Sequence, residues 1–512
     1  MAVRQPFPPF CLTAIVRRVR HPLAQILKCD VTIVGAGADG LAAAALLSRA
    51  GLKIIVVERN ERPGGRLVTR EFHPGFRASP FVDEVAPIPA ELHWALDLSR
   101  RGAIFVAAPL STVAWPDRHS VLEFRGSPPR LLSSAEERVA DVLQQTERNS
   151  APRSLWRKLF RRPPEWPCED WSVAALSDLA AEHASDFDEA AHLVAAATAG
   201  RAVDPTAAGT ALHLLAPGVG SSGMLPAGME RLGDALAAAA LDAGAEIRCG
   251  LEAAEVRFAK GRVAGVILAD GTRIRSRAVL STLDVKRTFL SLFDPNALPS
   301  ALLTQVGDFR MNGASARLLF ALSHPPQLAG GRDILRGAIH LAPEIASMRS
   351  AYAAWRDQQM PEAPPIAVRV VSSTDPSLAP VGAATMTATV GCIPYRLRDG
   401  AWSYARRDRL RAIVTAQIAR VLPGFAESVL ACEVLVPPDF EEQIGATEGD
   451  LWGGEIAAGQ MFGRRPGVAH SPPRSFLRGF YLAGKSTPAG PLATGAAGAV
   501  AARAVLADLG RR

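Results

Sequence analysis

The first clear pattern in the chain is a short, largely apolar and β-branched run, residues 30–34 (Asp-Val-Thr-Ile-Val), that ends abruptly at Gly35. So short a run, bounded by glycine, predicts a buried strand. Residues 40–50 are small and apolar and end at Gly51, which predicts a tightly packed helix. Residues 52–57 (Leu-Lys-Ile-Ile-Val-Val) form a second apolar run, closed by Glu58. Strand, helix and strand within about 30 residues predict a βαβ unit, because parallel strands need a crossover of this kind.

The pattern then changes several times. Residues 59–112 are rich in Pro, Gly and Arg and predict loops with short elements. Residues 130–214 read mainly as helix, with a polar helix over 134–147 and breaks at Pro163, Pro164 and Pro167. An Ala-rich helix is expected over 228–243, and a run of strands over 246–282 with a turn at Lys260 and Gly261. Residues 300–436 mix strands (316–322, 367–372, 385–390) with a helix over 406–421. The C-terminal stretch reads as a strand over 480–483, a glycine-rich loop and an Ala-rich helix reaching residue 507.

Three glycine motifs carry candidate chemistry. The first, Gly35-Ala36-Gly37-Ala38-Asp39-Gly40, is a GxGxxG placed between the first strand and its helix. There Gly35 permits the tight turn, Gly37 close approach of a pyrophosphate, and Gly40 close packing of helix on strand; the phosphates sit at the helix N-terminus. Glu58 follows about 20 residues on, the spacing of an acid that binds ribose hydroxyls and repels a 2′-phosphate. The second, Arg62-Pro63-Gly64-Gly65-Arg66, offers backbone for close contact and an arginine for a phosphate or a flavin edge; read alone, it is equally a surface turn. The third runs from Gly484 through Gly490 to Gly495 and Gly498, entering the last helix.

Two look-alikes are set aside. Residues 218–223 also spell GxGxxG but follow a proline and lead into no helix. Residues 479–486 spell a P-loop, yet their strand lies between the two glycines, where a P-loop needs its phosphate-wrapping turn. No GxSxG or HExxH is present.

The three motifs in this order resemble the phytoene desaturase-like family of FAD-dependent oxidoreductases, on the branch of the pyridine nucleotide-disulfide oxidoreductase domain-containing proteins. Supporting segments lie at 226–236, 245–284, 375–380, 394–397 and 447–466. The resemblance implies an α/β fold, with a Rossmann-type, discontinuous FAD-binding domain (29–112, 215–300 and 440–512) and an inserted α+β substrate domain (113–214 and 301–439). It implies FAD contacts at Gly35, Gly37, Ala38, Asp39 and Gly40, at Glu58 and Arg59, and at Gly64, Gly65 and Arg66. Further contacts are expected at Ala253, Gly484, Gly495 and Ala496. The activity implied is hydride transfer from an apolar, isoprenoid- or carotenoid-like substrate to the flavin. A flavin amine oxidase and a non-catalytic flavin-binding interaction protein are the alternatives. The chain departs from the family pattern at Thr487-Pro488-Ala489, where a His usually stands in place of Pro488, and at Gly449–Glu455. No motif fixes a catalytic residue; His73, soon after the second glycine turn, is a candidate neighbour of the site.

Composition narrows this only slightly. With 512 residues the chain has room for more than one domain. The net charge of +7 is mild, and no basic module with interleaved aromatics points to nucleic acid. The six cysteines form no CxxC, which excludes a redox dithiol and suits a reducing, cytoplasmic setting. No apolar run reaches about 18 residues, so no transmembrane helix is expected. Residues 12–27 carry apolar positions at helical spacing with arginines between. They fit a membrane-surface helix, a transit peptide, or an upstream start that adds a tail over 1–28; the last is favoured because the first clear element starts at Cys29. The basic and aromatic stretch 154–162 is a candidate peripheral membrane contact, with a solvated lid as the simpler alternative.

Overall fold

The computed structural model describes residues 25–107, 111–114, 121–124, 130–150, 166, 168–215, 223–225, 228–327, 335–341, 344–466 and 473–510. The candidate membrane stretch 154–162 lies outside them, as do residues 12–24.

A five-stranded parallel sheet holds the centre. Its order is Glu246–Arg248, Ile54–Val57, Val31–Val34, Ala278–Ser281 and Phe480–Leu482. Each of its three inner strands is buried along its whole length, so both faces must be covered. Alternate side chains serve the two sides. Val31, Ile33, Ile54 and Val56 pack under the helices Ala38–Arg49, Glu230–Asp242 and Ala496–Asp508. Ile55, Val57, Val279 and Phe480 face Val256, Val266 and Ile274 of a four-stranded, mostly antiparallel sheet, along with Phe289 and Phe293. Alanine and glycine let these helices approach closely: a Cβ on Gly498 would lie 1.9 Å from the Asp39 carbonyl oxygen.

A seven-stranded, mostly antiparallel sheet stands beside this assembly. Its order is Val429–Leu435, Ala316–Leu322, Ala384–Val390, Ile366–Arg369, Ala338–Leu341, Ser111–Ala114 and Val121–Phe124. One face is apolar and is covered by the helix Tyr404–Ala419 through Leu410, Val414 and Ile418. The other carries polar groups. Arg317, 2% exposed, donates to both Asp83 oxygens at 2.8 and 2.6 Å, and Thr387 donates to the same carboxylate at 2.7 Å. Next to it Arg369 donates to Glu84 at 2.6 Å. These bonds anchor the loop that leads to Val85, which lines the cleft described below. Helices Arg130–Ser150, Leu176–His183 and Phe187–Thr198 pack as a further group.

The elements expected over 134–147, 228–243, 316–322, 385–390 and 406–421 are present with small shifts of boundary. Two points differ. The strand Ile26–Lys28 precedes Cys29, where the first element was expected, and pairs in parallel with Arg273–Arg275. The strand expected over 367–372 ends at Arg369, and Val371–Ser373 turn into a 3-10 helix.

Candidate flavin-binding site

A deep cleft opens at the C-terminal ends of the parallel strands, where open α/β sheets bind ligands. It encloses about 1430 Å³ counting its open mouth. Gly35, Gly37, Ala38 and Asp39 line it from the first turn, and Glu58 and Arg59 from the end of the second strand. Gly64, Gly65 and Arg66 line it from the second glycine turn, and Ala253 and Gly495 line it as well. Three of the expected residues do not face it. Gly40 and Gly484 are packing glycines, whose Cβ atoms would lie 2.1 Å from the Gly35 carbonyl and 2.3 Å from the Thr282 carbonyl. Ala496 is buried in the first turn of the last helix. His73 stays in a two-stranded hairpin against Phe76, away from the cleft.

The local structure follows from the sequence. Gly35 takes φ +96°, which a side chain would resist, and turns the chain from strand to helix. Gly37 caps the helix Ala38–Arg49 in extended conformation with no side-chain cap, and a Cβ on it would meet nothing within 4 Å. Its backbone therefore faces open cleft, and the first N–H groups of the helix are left for a ligand. The second turn lies directly on the first: Gly64 N donates to the Ala36 carbonyl at 2.8 Å. Glu58 is held in place by Ala36 N at 2.8 Å and Asn60 N at 3.0 Å. Its carboxylate keeps further acceptor sites for hydroxyl groups.

Charged groups concentrate where the cleft meets the last helix. Asp39 accepts from Gly498 N at 3.3 Å, and burial pushes its carboxyl up to about 6, against the pull of Lys485 and Arg66. Burial also holds the Lys485 ammonium well below its usual value, and Arg66 adds to the effect. Arg66 is itself brought down to about 10 by burial and donates to the Leu451 carbonyl at 3.0 Å. Arg465 donates to the carbonyls of Gly453 at 2.8 Å and Lys485 at 3.1 Å, fastening the loop around Trp452 to the last glycine segment.

Sequence reasoning missed part of this wall. Thr282, Leu283, Asp284 and Arg287 line the cleft, as do Asp450 and Lys485. Thr282 follows the parallel strand Ala278–Ser281, and its position at a strand's C-terminal end was the signal. For Lys485, the signal is its place in the third glycine segment, directly after Gly484.

The residues present fit FAD. A cleft open over Gly37, an uncapped helix N-terminus and a fixed carboxylate at Glu58 match an elongated dinucleotide with a pyrophosphate at its middle. The described residues hold no cluster of His, Cys, Asp and Glu able to bind a metal. No helix among them is long and apolar enough to cross a membrane.

Comparison with known proteins agrees. Residues 40–505 match the family described as flavin containing amine oxidoreductase. The chain is 28% identical to pyridine nucleotide-disulfide oxidoreductase domain-containing protein 2 of Rattus norvegicus, over 94% of each chain. It is 23% identical to a lycopene-forming phytoene desaturase of a Paracoccus species, over 93% of this chain and 97% of that one. The solved structure of putrescine oxidase bound to putrescine shares the fold, with a TM-score of 0.60 at 15% identity, covering 95% of this chain and all (100%) of that one. Cyclohexylamine oxidase from Brevibacterium oxydans gives 0.59 at 16% identity, covering 94% and 100%. Glycine turns, fixed acid and family match together make the chain an FAD-dependent oxidoreductase belonging to the flavin containing amine oxidoreductase family.

Proposed function

We propose that the protein is a dehydrogenase of the desaturase type, acting on a C–H bond of a substrate with an apolar body. FAD, when bound, supplies the hydride acceptor. The chain's own residues hold it: the N–H groups at Gly37 and Ala38 face the phosphates, Glu58 faces the ribose, and Arg66 and Lys485 stand where negative charge needs balancing. Holding the substrate C–H bond against the flavin lets orientation carry the rate.

The observation favouring this reading over amine oxidation is the Trp452 ring beside the cleft. The Arg201 guanidinium already lies over it, 4.1 Å from the ring centre. A protonated amine seeking that aromatic face meets a cation instead. The amine-oxidase reading keeps the support of the family and of the solved relatives. Anaerobic addition of isoprenoid, fatty acyl and amine candidates tests the two readings. Bleaching of the flavin by an apolar C–H donor supports the first, and bleaching by amines alone replaces it with the second.

A further inference from the structure

A second, smaller pocket opens beside the cofactor cleft. Its walls are the turn at Gly200 and Arg201, the 3-10 helix Thr210–Leu215, the chain entering the strand Ala316–Leu322, and the loop around Trp452. It holds about 450 Å³ counting its mouth and shares Asp450 and Leu451 with the cleft, so its occupant lies against the cofactor site. Asn312 is exposed and Trp355 half-buried, which leaves the pocket a wet mouth.

Three side chains give the pocket its chemistry. Arg201 is 5% exposed, donates to the Ala197 carbonyl at 2.8 Å and stacks on Trp452. His213 is 8% exposed, lines the pocket, and its Nδ1 has no hydrogen-bond partner among the described residues. Trp452 Nε1 is buried and also lacks one. Buried polar atoms are almost always bonded, so two orphans around one pocket mark a place for a ligand.

The donors define that ligand. Indole and guanidinium nitrogens only donate, and an imidazole presents a donor at either nitrogen. Burial, reinforced by the charge of Arg201, keeps His213 neutral, bringing it down to about 3. Two carboxyl groups line the pocket and both have partners: Asp450, which burial raises, accepts from Trp452 N at 2.6 Å, and Glu455 pairs with Arg310; Glu84 bonds Arg369 at 2.6 Å. A protonated amine would add donors and positive charge beside Arg201, and a hydrocarbon would leave the donors unmet. We propose that this pocket binds a carboxylate group of the substrate, through the charge of Arg201 and hydrogen bonds from Trp452 Nε1 and His213. The substrate class is then a carboxylic acid whose apolar body reaches the cleft. This rests on the dehydrogenase reading for the reaction, though not for the binding.

The test is calorimetric titration of the FAD-loaded protein with hexanoate and benzoate, set against hexylamine and hexanol. Both carboxylates bind, and the amine and alcohol bind at least about tenfold more weakly. Trp452→Phe keeps the ring and removes the donor; it weakens carboxylate binding by about tenfold with FAD content unchanged. Arg201→Gln removes the charge and weakens it further. If Arg201→Gln fails to fold, Trp452→Phe and His213→Phe decide the matter. Absence of carboxylate binding up to about 10 mM, equal binding of the amine, or unchanged affinity in both Trp452→Phe and His213→Phe overturns the proposal. Carboxylate binding with flavin reduction by amines only leaves the pocket standing and removes the dehydrogenase reading.

Discussion

The backbone N–H of Gly498 points at the Asp39 carboxylate, 3.3 Å from Oδ1, so a residue in the first turn of one helix caps the first turn of another. Two helix N-termini converge on one buried acid at the edge of the cofactor cleft. Both dipoles favour negative charge there, while burial opposes it.

Burial wins in part, which gives a pH dependence. The Asp39 carboxyl is raised from 3.8 to about 6 in the fold. A raised carboxyl contributes stability that is full below its unfolded value and lost as pH rises through its folded value. The cofactor-free protein should therefore lose stability from this group as pH rises from about 4 to about 6. Glu58, Asp284 and Asp450 are raised by burial too and act in the same direction. Asp39→Asn should flatten this part of the profile, read as melting temperature against pH.

Lys485 should show a trade of stability for binding. Its ammonium is held well below its usual value by burial, so the fold binds that proton less tightly than the unfolded chain does, at a cost to stability that grows as pH falls below the usual lysine range. That cost vanishes only above the unfolded value and is complete below the folded one. Lys485→Met should melt at a higher temperature than the parent without cofactor, yet bind FAD about tenfold more weakly, as measured by flavin fluorescence.

Glu58 has two jobs, and two substitutions separate them. Its oxygens accept from Ala36 N and Asn60 N. Glu58→Ala leaves both donors unmet, costing about 1–3 kcal/mol for each that stays dry. Glu58→Gln keeps an acceptor and should melt closer to the parent. Both should weaken FAD binding about tenfold or more, because the ribose loses its carboxylate.

Gly498 has no room for a side chain. Its Cβ would lie 1.9 Å from the Asp39 carbonyl, which is backbone and cannot swing aside. Gly498→Ala should cost about 1–3 kcal/mol, with purified protein losing flavin as the two helices part. Gly51→Ala is the control: space around it is open, so only the strain of φ +80° remains, and flavin content should hold.

The cofactor half was legible because its chemistry is local. The turn at Gly35, the acid at Glu58 and the turn at Gly64 lie within one stretch whose strand–helix–strand pattern is strong. Thr282, Asp450 and Lys485 join the same cleft from distant segments, and only the strand order brings them there. Gly40, Gly484 and Ala496 belong to the motifs yet serve packing, a distinction that spacing cannot make. Arg201 and His213 carry no motif; their significance appears only once the fold brings them into one pocket with Trp452.

The most direct test is the absorption spectrum of the purified protein, followed by anaerobic addition of a carboxylic acid with an apolar chain and of simple amines. A bound-flavin spectrum that bleaches with the acid and not with the amines is the result predicted here. Folded protein that carries no flavin and takes up none from added FAD would contradict the account at its root.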